Sequence, residues 1–483
     1  MNTPGVVSAF GFINGKIINY VKDALLSILV PHGQEHLLAF WDRLDDGRRR
    51  ELAEQIRRID FAMLDRLYSR RNDQSGVREL ANRATPPPAI RLNTSQNPFT
   101  PQQARRRGRE ALAAGHVGAI LVAGGQGTRL GFDHPKGMYS IGPVSRRTLF
   151  QIHVEKILAA SRRYGVKIPL YLMTSPKTHQ ETAAFFNEND RFGLPEDDLF
   201  IFCQGAMPAV DAATGKVLLE SPSRIALSPD GHGGMLAALA ASGGLDDARR
   251  RGIAQLFYFQ VDNPLVDICG PEFIGYHILA NSELTSQVIA KRDPLDKVGN
   301  VVQVDGRSHV IEYSDLPDDV ARRRNADGSL SIWAGSIAVH VLDTAMLARM
   351  AESADGLPFH YAHKKVAHID SGGQPVDPKT PNAIKFERFI FDLMPFSVNA
   401  IVVEIDPQEG FAPLKNASGA ASDMPEMVQG KMIAQHARWL KQAGAEVSEG
   451  VPVEICPLLA LDAEELALKI PPGTRVTRPT YFF

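Results

Sequence analysis

The sequence has few cysteines, no long apolar run and almost no net charge. Its 483 residues include three cysteines, Cys203, Cys269 and Cys456. They are too few and too widely spaced for a disulfide framework or a Cys-x-x-Cys metal site. No apolar run reaches the ~18 residues of a membrane span, and no stretch has the pattern of a secretory signal. We therefore expect a cytoplasmic protein with no integral membrane segment.

The charge balance argues against a polyanionic partner. Lysine and arginine number 53, aspartate and glutamate number 55, and the formal net charge is −2. A protein that binds nucleic acid through a basic surface carries a positive excess, so no nucleic-acid partner is expected. The arginine-rich runs at 48–50 and 105–109 are interpreted as solvated helix faces rather than phosphate-binding patches.

The chain is long enough for two or three domains, because single cores stop growing at ~250–300 residues. Apolar residues at helical spacing predict helices at 10–30, where the helix is expected to pack on its own domain rather than on a membrane, and at 33–80. Three consecutive prolines then mark a linker. We predict a helical N-terminal region and linker at 1–100, an α/β catalytic core at 101–395 and a small α+β domain at 396–483.

The core is expected to contain a mostly parallel sheet with helices on both faces, because strand-like and helical runs alternate along it. The predicted strands are 118–122, 169–174, 199–202 and 255–261, with helices at 148–164 and 177–187. In the C-terminal part a strand is predicted at 400–405 and a helix at 425–443. In such sheets ligands bind beyond the carboxyl ends of the strands.

The clearest chemical signal follows the first of these strands. Gly124, Gly125 and Gly127 are followed by Arg129 and Lys136. Glycines let the backbone approach a ligand with exposed N–H groups, and the two cations supply fixed positive charge. The pattern indicates a loop that holds a triphosphate.

Two common phosphate motifs do not fit this loop. A dinucleotide fingerprint would need a third glycine where Leu130 stands. A Walker loop would need serine or threonine directly after its lysine, whereas Lys136 is followed by Gly137.

The stretches AGGQGTRLG and PKGMYSIG instead resemble the signature of the sugar nucleotidyltransferases, in the form found in eukaryotic-type UDP-N-acetylglucosamine pyrophosphorylases. The resemblance covers nearly the whole chain from about residue 33 and continues through QGAMPA, PDGHGG, VDN, VGN, IEYS, PNAIKFE and FAPLKN. It implies a Rossmann-like, GT-A-like core. It also implies that UTP and a sugar 1-phosphate, foremost N-acetylglucosamine 1-phosphate, are converted to a UDP-sugar and pyrophosphate.

The resemblance also assigns roles on the phosphate side. Arg129 and Lys136 would hold the triphosphate, Lys385 would reach the reacting phosphates, and Asp262 would bind Mg²⁺ or Mn²⁺. Asp370 matches a second metal position, with a turn-forming aspartate as an equal alternative. No protein nucleophile is expected, because the attacking phosphate oxygen is already ionised and catalysis depends on positioning and charge.

The remaining assignments concern the uracil and the sugar. The residues expected to contact these groups are Gly124, Gly125, Gln204, Gly231, His232, Gly299, Glu312, Tyr313 and Ser336. Several assignments keep a structural alternative: a loop amide for Gln204, a loop histidine for His232, strand-edge packing for Glu312 and, on the phosphate side, a solvated strand lysine for Lys385.

The sequence departs from the family pattern in the sugar half. His232 stands where the N-acetylglucosamine enzymes commonly have asparagine, and Trp333 and Ser336 interrupt an expected N-A-G-N-I-A stretch. A UDP-glucose or broad-specificity UDP-sugar pyrophosphorylase therefore stays open as an alternative. A non-catalytic sensor that binds a UDP-sugar is a more remote one.

Overall fold

The computed structural model describes residues 20–71, 75–353 and 356–483. Its contacts divide the chain into two units. The smaller unit contains residues up to 73 together with 206–231 and 359–389, and the larger unit contains 74–205, 232–358 and 390–483.

The strands of the described chain follow in order. They are β1 (Ala89–Ile90), β2 (Val117–Val122), β3 (Leu170–Thr174), β4 (Leu199–Cys203), β5 (Ala206–Pro208), β6 (Val210–Asp211), β7 (Leu219–Ser221), β8 (Arg224–Ile225), β9 (Leu227–Pro229), β10 (Gln255–Gln260), β11 (Leu284–Ala290), β12 (Gly299–Val304), β13 (Arg307–Ile311), β14 (Ala334–Asp343), β15 (His360–Lys364), β16 (His368–Ile369), β17 (Pro375–Val376), β18 (Ala383–Glu387), β19 (Ile401–Glu404), β20 (Glu446–Val447), β21 (Val453–Ile455), β22 (Arg475–Val476) and β23 (Thr480–Phe482).

The α-helices include α1, which covers residues 20–29. The others are α2 (Asp46–Arg57), α3 (Phe61–Ser69), α4 (Ser75–Arg83), α5 (Pro101–Ala113), α6 (Leu149–Tyr164), α7 (His179–Glu188), α8 (Gly234–Ala241), α9 (Gly244–Arg250), α10 (Pro271–Leu279), α11 (Asp318–Ala321), α12 (Thr344–Ala351), α13 (Pro407–Gly410), α14 (Pro425–Gln442) and α15 (Ala463–Ala467). None of the helices in the described ranges combines the length and apolar character needed to span a bilayer.

A ten-stranded sheet forms the centre of the larger unit, with the order β1-β19-β11-β14-β10-β2-β3-β4 and the β12–β13 hairpin attached to β14. The strands β10, β2, β3 and β4 are parallel neighbours. Within this order β14 pairs antiparallel with both β10 and β11, and the attached β12–β13 hairpin adds further antiparallel pairs. The prediction of an α/β core with a mostly parallel sheet is confirmed.

The central strands are buried, as expected for parallel strands covered by helices. Ile120, Leu121, Phe257 and Phe259 have no exposed surface. Because β2, β4 and β10 run in the same direction, the segments that follow them emerge at one edge of the sheet. These segments begin at residues 123, 204 and 261 and contain most of the predicted phosphate and uracil residues.

The helices of the core begin where the sequence offers capping side chains. The hydroxyl of Thr100 accepts a hydrogen bond from the backbone N–H of Gln103, and the hydroxyl of Thr148 accepts one from Gln151, which caps α5 and α6. The helix predicted at 148–164 is therefore found one residue shorter, and Gly165 ends it in the left-handed conformation at φ 67°.

The C-terminal part of the larger unit has a small core of its own around Leu440, Val453 and Leu466. The strand predicted at 400–405 is found as β19, but it pairs with β1 and β11 inside the central sheet. The predicted domain boundaries near residues 100 and 395 stay a prediction.

The smaller unit combines helices α1 to α3 with short antiparallel strand pairs and the sheet β15-β18-β6. Leu25 and Leu29 of α1 are fully buried, as expected for a helix packed on its own domain, whereas residues 10–19 of that prediction lie outside the described residues. Gly33, in a left-handed conformation, ends the 3-10 turn Val30–His32. The helical pattern predicted from residue 33 begins as two further 3-10 turns, Glu35–Leu38 and Trp41–Arg43, before α2 starts at Asp46.

Candidate active site

The phosphate-binding loop predicted after β2 is closed by backbone pairing. The N–H of Lys136 donates to the carbonyl of Gly125 at 3.0 Å, and the N–H of Gly127 donates to the carbonyl of His134 at 2.9 Å. The PKG segment therefore folds back on the glycine loop. This pairing places Lys136, eleven residues further along the chain, beside Gly125.

Gly124 lies in close contact with two side chains. A Cβ atom at this position would lie 2.5 Å from Oε1 of Gln204 and 3.3 Å from Cβ of Ser175. The hydroxyl of Ser175 also donates to the carbonyl of Gly124 at 2.7 Å. Gln204, the predicted uracil contact, is therefore found directly against the glycine loop, and its side chain is almost completely buried.

A charged cluster lies beside this loop. Nζ of Lys136 is 3.8 Å from Oδ2 of Asp262 and donates to the carbonyl of Leu414 at 3.3 Å. Burial lowers the pKa of Lys136, while Asp262 raises it and Lys415 and Arg129 lower it further. The structure thus brings the two predicted signature cations and the predicted metal ligand together, and it adds a third cation.

Lys415 is the functional candidate that the sequence reasoning missed. It lies directly after Leu414, whose backbone N–H donates to the carbonyl of Asp262 at 2.8 Å. The FAPLKN stretch was recognised as part of the family resemblance, but its lysine was not selected. The available signal was the presence of a lysine with no assigned role inside a recognised family stretch.

Asp262 has the surroundings expected of a divalent-cation ligand. Its side chain is only 15% exposed and follows the end of β10. The neighbouring Asn263 is committed to structure, because its amide donates to the carbonyl of Gly410 and accepts from the N–H groups of Leu265 and Ala412. Among the described residues no group of three or more His, Cys, Asp or Glu side chains is arranged to hold a metal. The donor set fits Mg²⁺ only if substrate phosphates and waters supply the other ligands, which is a common arrangement for this ion.

The predicted sugar contacts in the larger unit also come together. Gly299 on β12 pairs directly with Ser336 on β14. A Cβ at Gly299 would lie 3.3 Å from Oε1 of Glu312 and 3.9 Å from Cβ of Ser336. Tyr313 follows with 48% of its surface exposed. These residues form a wall built from three strands or their ends.

His232 is fixed in orientation. Its Nδ1 accepts a hydrogen bond from the backbone N–H of Ile390 at 3.2 Å, and its ring packs edge-on to that of Phe391. A neutral imidazole has one donor and one acceptor nitrogen. With Nδ1 as the acceptor, Nε2 carries the proton, so this histidine is a donor at the atom opposite its anchor.

The remaining predicted residues lie in the smaller unit. Gly231 has φ of 85°, and a Cβ there would lie 2.3 Å from the carbonyl of Arg388, so glycine is needed. Lys385 occupies a partly exposed position between the buried Ile384 and Phe386 on β18. Asp370 accepts hydrogen bonds from the N–H groups of Gly372 and Gln374 in the β16–β17 turn. That geometry matches the turn-forming alternative, and its predicted metal role has no further support.

Comparison with known proteins places this geometry in a family. The model of the family described as UTP--glucose-1-phosphate uridylyltransferase matches residues 61–462. The chain belongs to this uridylyltransferase family. Of its relatives, the human UDP-N-acetylhexosamine pyrophosphorylase-like protein 1 is 38% identical over 428 residues, which cover 86% of this chain and 84% of the relative.

Other members extend the comparison to a yeast enzyme and a solved structure. The UDP-N-acetylglucosamine pyrophosphorylase of Saccharomyces cerevisiae is 38% identical over 369 residues, covering 75% of this chain and 77% of that protein. The crystal structure of the uridine diphosphate N-acetylglucosamine pyrophosphorylase from Trypanosoma brucei is 27% identical, with a TM-score of 0.79 over 95% of this chain and 98% of that one. The family resemblance and the nucleotidyltransferase fold expected from the sequence are confirmed.

Proposed function

We propose that this uridylyltransferase transfers the uridylyl group of UTP to N-acetylglucosamine 1-phosphate, giving UDP-N-acetylglucosamine and pyrophosphate. The observation that carries the proposal is the cluster of Lys136, Asp262, Lys415 and Arg129 beside the closed glycine loop. The relatives named for this reaction at similar length support the choice of an N-acetylated sugar.

In the proposed reaction a phosphate oxygen of the sugar 1-phosphate attacks the α-phosphorus of UTP. The bond from that phosphorus to the bridging oxygen breaks, and pyrophosphate leaves. The attacking oxygen is already ionised at neutral pH, so no side chain needs to remove a proton. The protein has to align the two substrates and stabilise the charge that moves onto the leaving group.

Each residue of the cluster has a part in this alignment. Arg129 and Lys136 hold the β- and γ-phosphates, and Lys415 adds a further positive charge close to Lys136. Partial burial strengthens these interactions, because the effective dielectric constant is lower away from bulk water. Asp262 holds a divalent cation together with substrate oxygens. When bound, Mg²⁺ supplies positive charge that neutralises the phosphates.

The substrate contacts follow from the same geometry. Gln204 and the backbone of Gly124 and Gly125 read the uracil, because an amide pairs with a donor and an acceptor on one base edge. Glu312, Tyr313 and Ser336 contact the sugar from the β12–β14 wall, and His232 donates from Nε2. Lys385 is proposed as a further phosphate-binding lysine. We also propose a cytoplasmic location, in keeping with a composition that has only three cysteines.

A UDP-glucose or broad-specificity pyrophosphorylase is the second candidate. The observation that favours it is His232, which presents a single donor at Nε2, whereas an asparagine amide offers both donors and an acceptor. An N-acetyl group needs recognition of a carbonyl and an N–H, and a lone donor satisfies only one of them.

One assay tests both candidates. Pyrophosphate release from UTP is measured in the presence of Mg²⁺. The 1-phosphates of N-acetylglucosamine, N-acetylgalactosamine, glucose and galactose are assayed in parallel. A higher kcat/KM with N-acetylglucosamine 1-phosphate supports the first proposal, and a preference for glucose or galactose supports the second. Tight binding of a UDP-sugar, with no pyrophosphate released from UTP in the presence of any of the four sugar 1-phosphates, would overturn both candidate functions.

A further inference from the structure

A buried lysine lies behind the predicted sugar wall and belongs to none of the motifs discussed above. Lys291 follows directly after β11 and has only 7% of its surface exposed. Its backbone N–H donates to the carbonyl of Trp333 at 2.8 Å, which continues the pairing between β11 and β14. The main chain of Lys291 is therefore fixed to the strand that carries Ser336.

The ammonium group of Lys291 is held by neutral oxygens. Nζ donates to Oδ1 of Asn300 at 2.6 Å and to the carbonyl of Pro294 at 3.2 Å. Burial lowers the pKa of Lys291, and the charges of Asp296 and Asp293 only partly offset this effect. Taking an ammonium group out of water without a close carboxylate is costly, so its retention calls for a reason.

Asn300 connects this lysine to the sugar wall. Its side chain is 1% exposed, and its amide nitrogen donates to the carbonyls of Ile311 at 3.2 Å and Val298 at 3.3 Å. Ile311 directly precedes Glu312, and Val298 directly precedes Gly299. One amide thus ties together the two chain segments from which the predicted sugar contacts extend.

The strand register completes the connection. Asn300 pairs with Gly335 and with Ile311, and Gly299 pairs with Ser336. The absence of a side chain at Gly335 leaves space for Val298 and for the stem of Lys291, since a Cβ there would lie 2.7 Å from Cγ2 of Val298. Any shift of Asn300 therefore moves Gly299, Glu312 and Ser336 relative to one another.

We propose that Lys291 and Asn300 act as positioning residues that set the sugar-binding geometry of Gly299, Glu312 and Ser336. The inference rests on the proposed function, because it assigns the wall to the sugar 1-phosphate. It concerns one substrate only, since the loop and charged cluster that hold UTP belong to other elements. Loss of the pair is therefore expected to act on the Michaelis constant for the sugar 1-phosphate and not on that for UTP.

The test compares Lys291→Met with Lys297→Met. Both variants remove a lysine from the same loop, but Lys297 is exposed and has no assigned role. Steady-state kinetics with N-acetylglucosamine 1-phosphate and UTP should show that Lys291→Met raises KM for the sugar 1-phosphate by about 10-fold or more and leaves KM for UTP within about twofold. Lys297→Met should match the wild type in both constants.

A second variant keeps the test decisive if Lys291→Met does not fold. Asn300→Asp retains an oxygen acceptor for Lys291 and removes the two amide donations to Val298 and Ile311. It is expected to raise KM for the sugar 1-phosphate in the same selective way. Equal rises in both Michaelis constants, or a lowered Tm with unchanged constants, would overturn the positioning role. A wild-type protein that forms no UDP-sugar from any of the four sugar 1-phosphates would instead overturn the proposed function.

Discussion

The proposed phosphate side and the proposed sugar side of the larger unit are built in different ways. On the phosphate side, one loop between residues 124 and 136 closes on itself and is joined by Asp262 and Lys415. On the sugar side, Gly299, Glu312 and Ser336 come from separate elements and meet only because β12, β13 and β14 are paired. The glycine loop with its two cations is thus a local motif that two distant residues join, whereas the sugar wall depends on strand register throughout.

The two sides also differ in electrostatics. The phosphate side concentrates cations around a single carboxylate, and partial burial shifts the pKa of its lysine. The sugar side carries the carboxylate of Glu312, the hydroxyls of Tyr313 and Ser336 and the imidazole of His232. Interactions that strengthen as charge develops raise kcat, while contacts that are equal in ground and transition states act on KM. The phosphate side should therefore control turnover for every sugar, and the sugar side should control selectivity.

The largest effect is expected from Lys136→Met, which removes the central cation and keeps a similar volume. Turnover should fall by about 10²–10³-fold, and by the same factor with each sugar 1-phosphate, because the lost interaction is with the departing pyrophosphate. The measurement is kcat with the panel of sugar 1-phosphates, together with Tm. Lys167→Met serves as the control, since that lysine is 69% exposed. A fall confined to one sugar would contradict the division between the two sides.

A somewhat smaller effect is expected from Asp262→Asn. Turnover should fall by about 10²-fold, and the Mg²⁺ concentration for half-maximal activity should rise, because an amide is a weaker ligand for a hard cation than a carboxylate. The substitution also removes the charge that raises the pKa of Lys136. Asp246→Asn, at a site 67% exposed, is the matched control. If the Mg²⁺ dependence of Asp262→Asn equals that of the wild type, Asp262 does not bind the metal.

The pH dependence of activity should report on the phosphate side through Lys136. Burial lowers the pKa of Lys136 below the ordinary value of 10.5, so its charge is lost earlier as the pH rises. Above that lowered pKa, kcat/KM for UTP should fall by about tenfold per pH unit. At pH values between the lowered pKa of Lys136 in the folded protein and its pKa in the unfolded chain, the unfolded chain binds more protons. Lys136 therefore makes the folded state more stable as the pH rises. Its titration cannot cause a loss of activity through unfolding.

Lys136→Arg provides the control for this pH effect. Arginine stays protonated throughout the alkaline range, so the variant should show a flat kcat/KM profile where the wild type declines. The profiles are measured at UTP concentrations below KM with the sugar 1-phosphate saturating. Parallel declines in the two proteins would assign the titration to another group.

The smallest effect is expected from His232→Asn, which changes the sugar side alone. The ratio of kcat/KM for N-acetylglucosamine 1-phosphate to that for glucose 1-phosphate should rise by about tenfold, because the amide offers both a donor and an acceptor. KM for UTP should not change. The measurement is the same four-sugar assay, run beside the wild type. An unchanged ratio would show that His232 does not determine selectivity.

Local patterns predicted the elements that contain strong signals. The strand predicted at 118–122 is β2 with one further residue at its start, and the helix predicted at 425–443 is α14, one residue shorter. Buried parallel strands have continuous apolar runs, and these were readable without a structure. The segment at 33–44 was less predictable, because its apolar spacing is that of a helix but the chain forms two short 3-10 turns, Glu35–Leu38 and Trp41–Arg43.

The assignment of segments to units was not readable in the same way. Residues 206–231 and 359–389 lie far apart in the sequence but share the core of the smaller unit, where Val210 and Ile384 are paired. The strand at 401–404 lies in the C-terminal part of the chain yet pairs inside the central sheet. Pairings over such separations depend on the whole topology, which the local residue pattern does not contain.

The sequence by itself determined the fold class, the family and the phosphate loop, because glycine spacing and the two signature cations are local properties of the chain. Only the tertiary structure decided that Lys415 joins Lys136 and Asp262, that His232 is anchored through Nδ1, and that Lys291 lies behind Gly299. The first two arrangements join residues that are distant in sequence, and the third depends on the pairing of β12 and β14 around Lys291. They exist because strand order and register bring the segments together, which no single stretch of the sequence specifies.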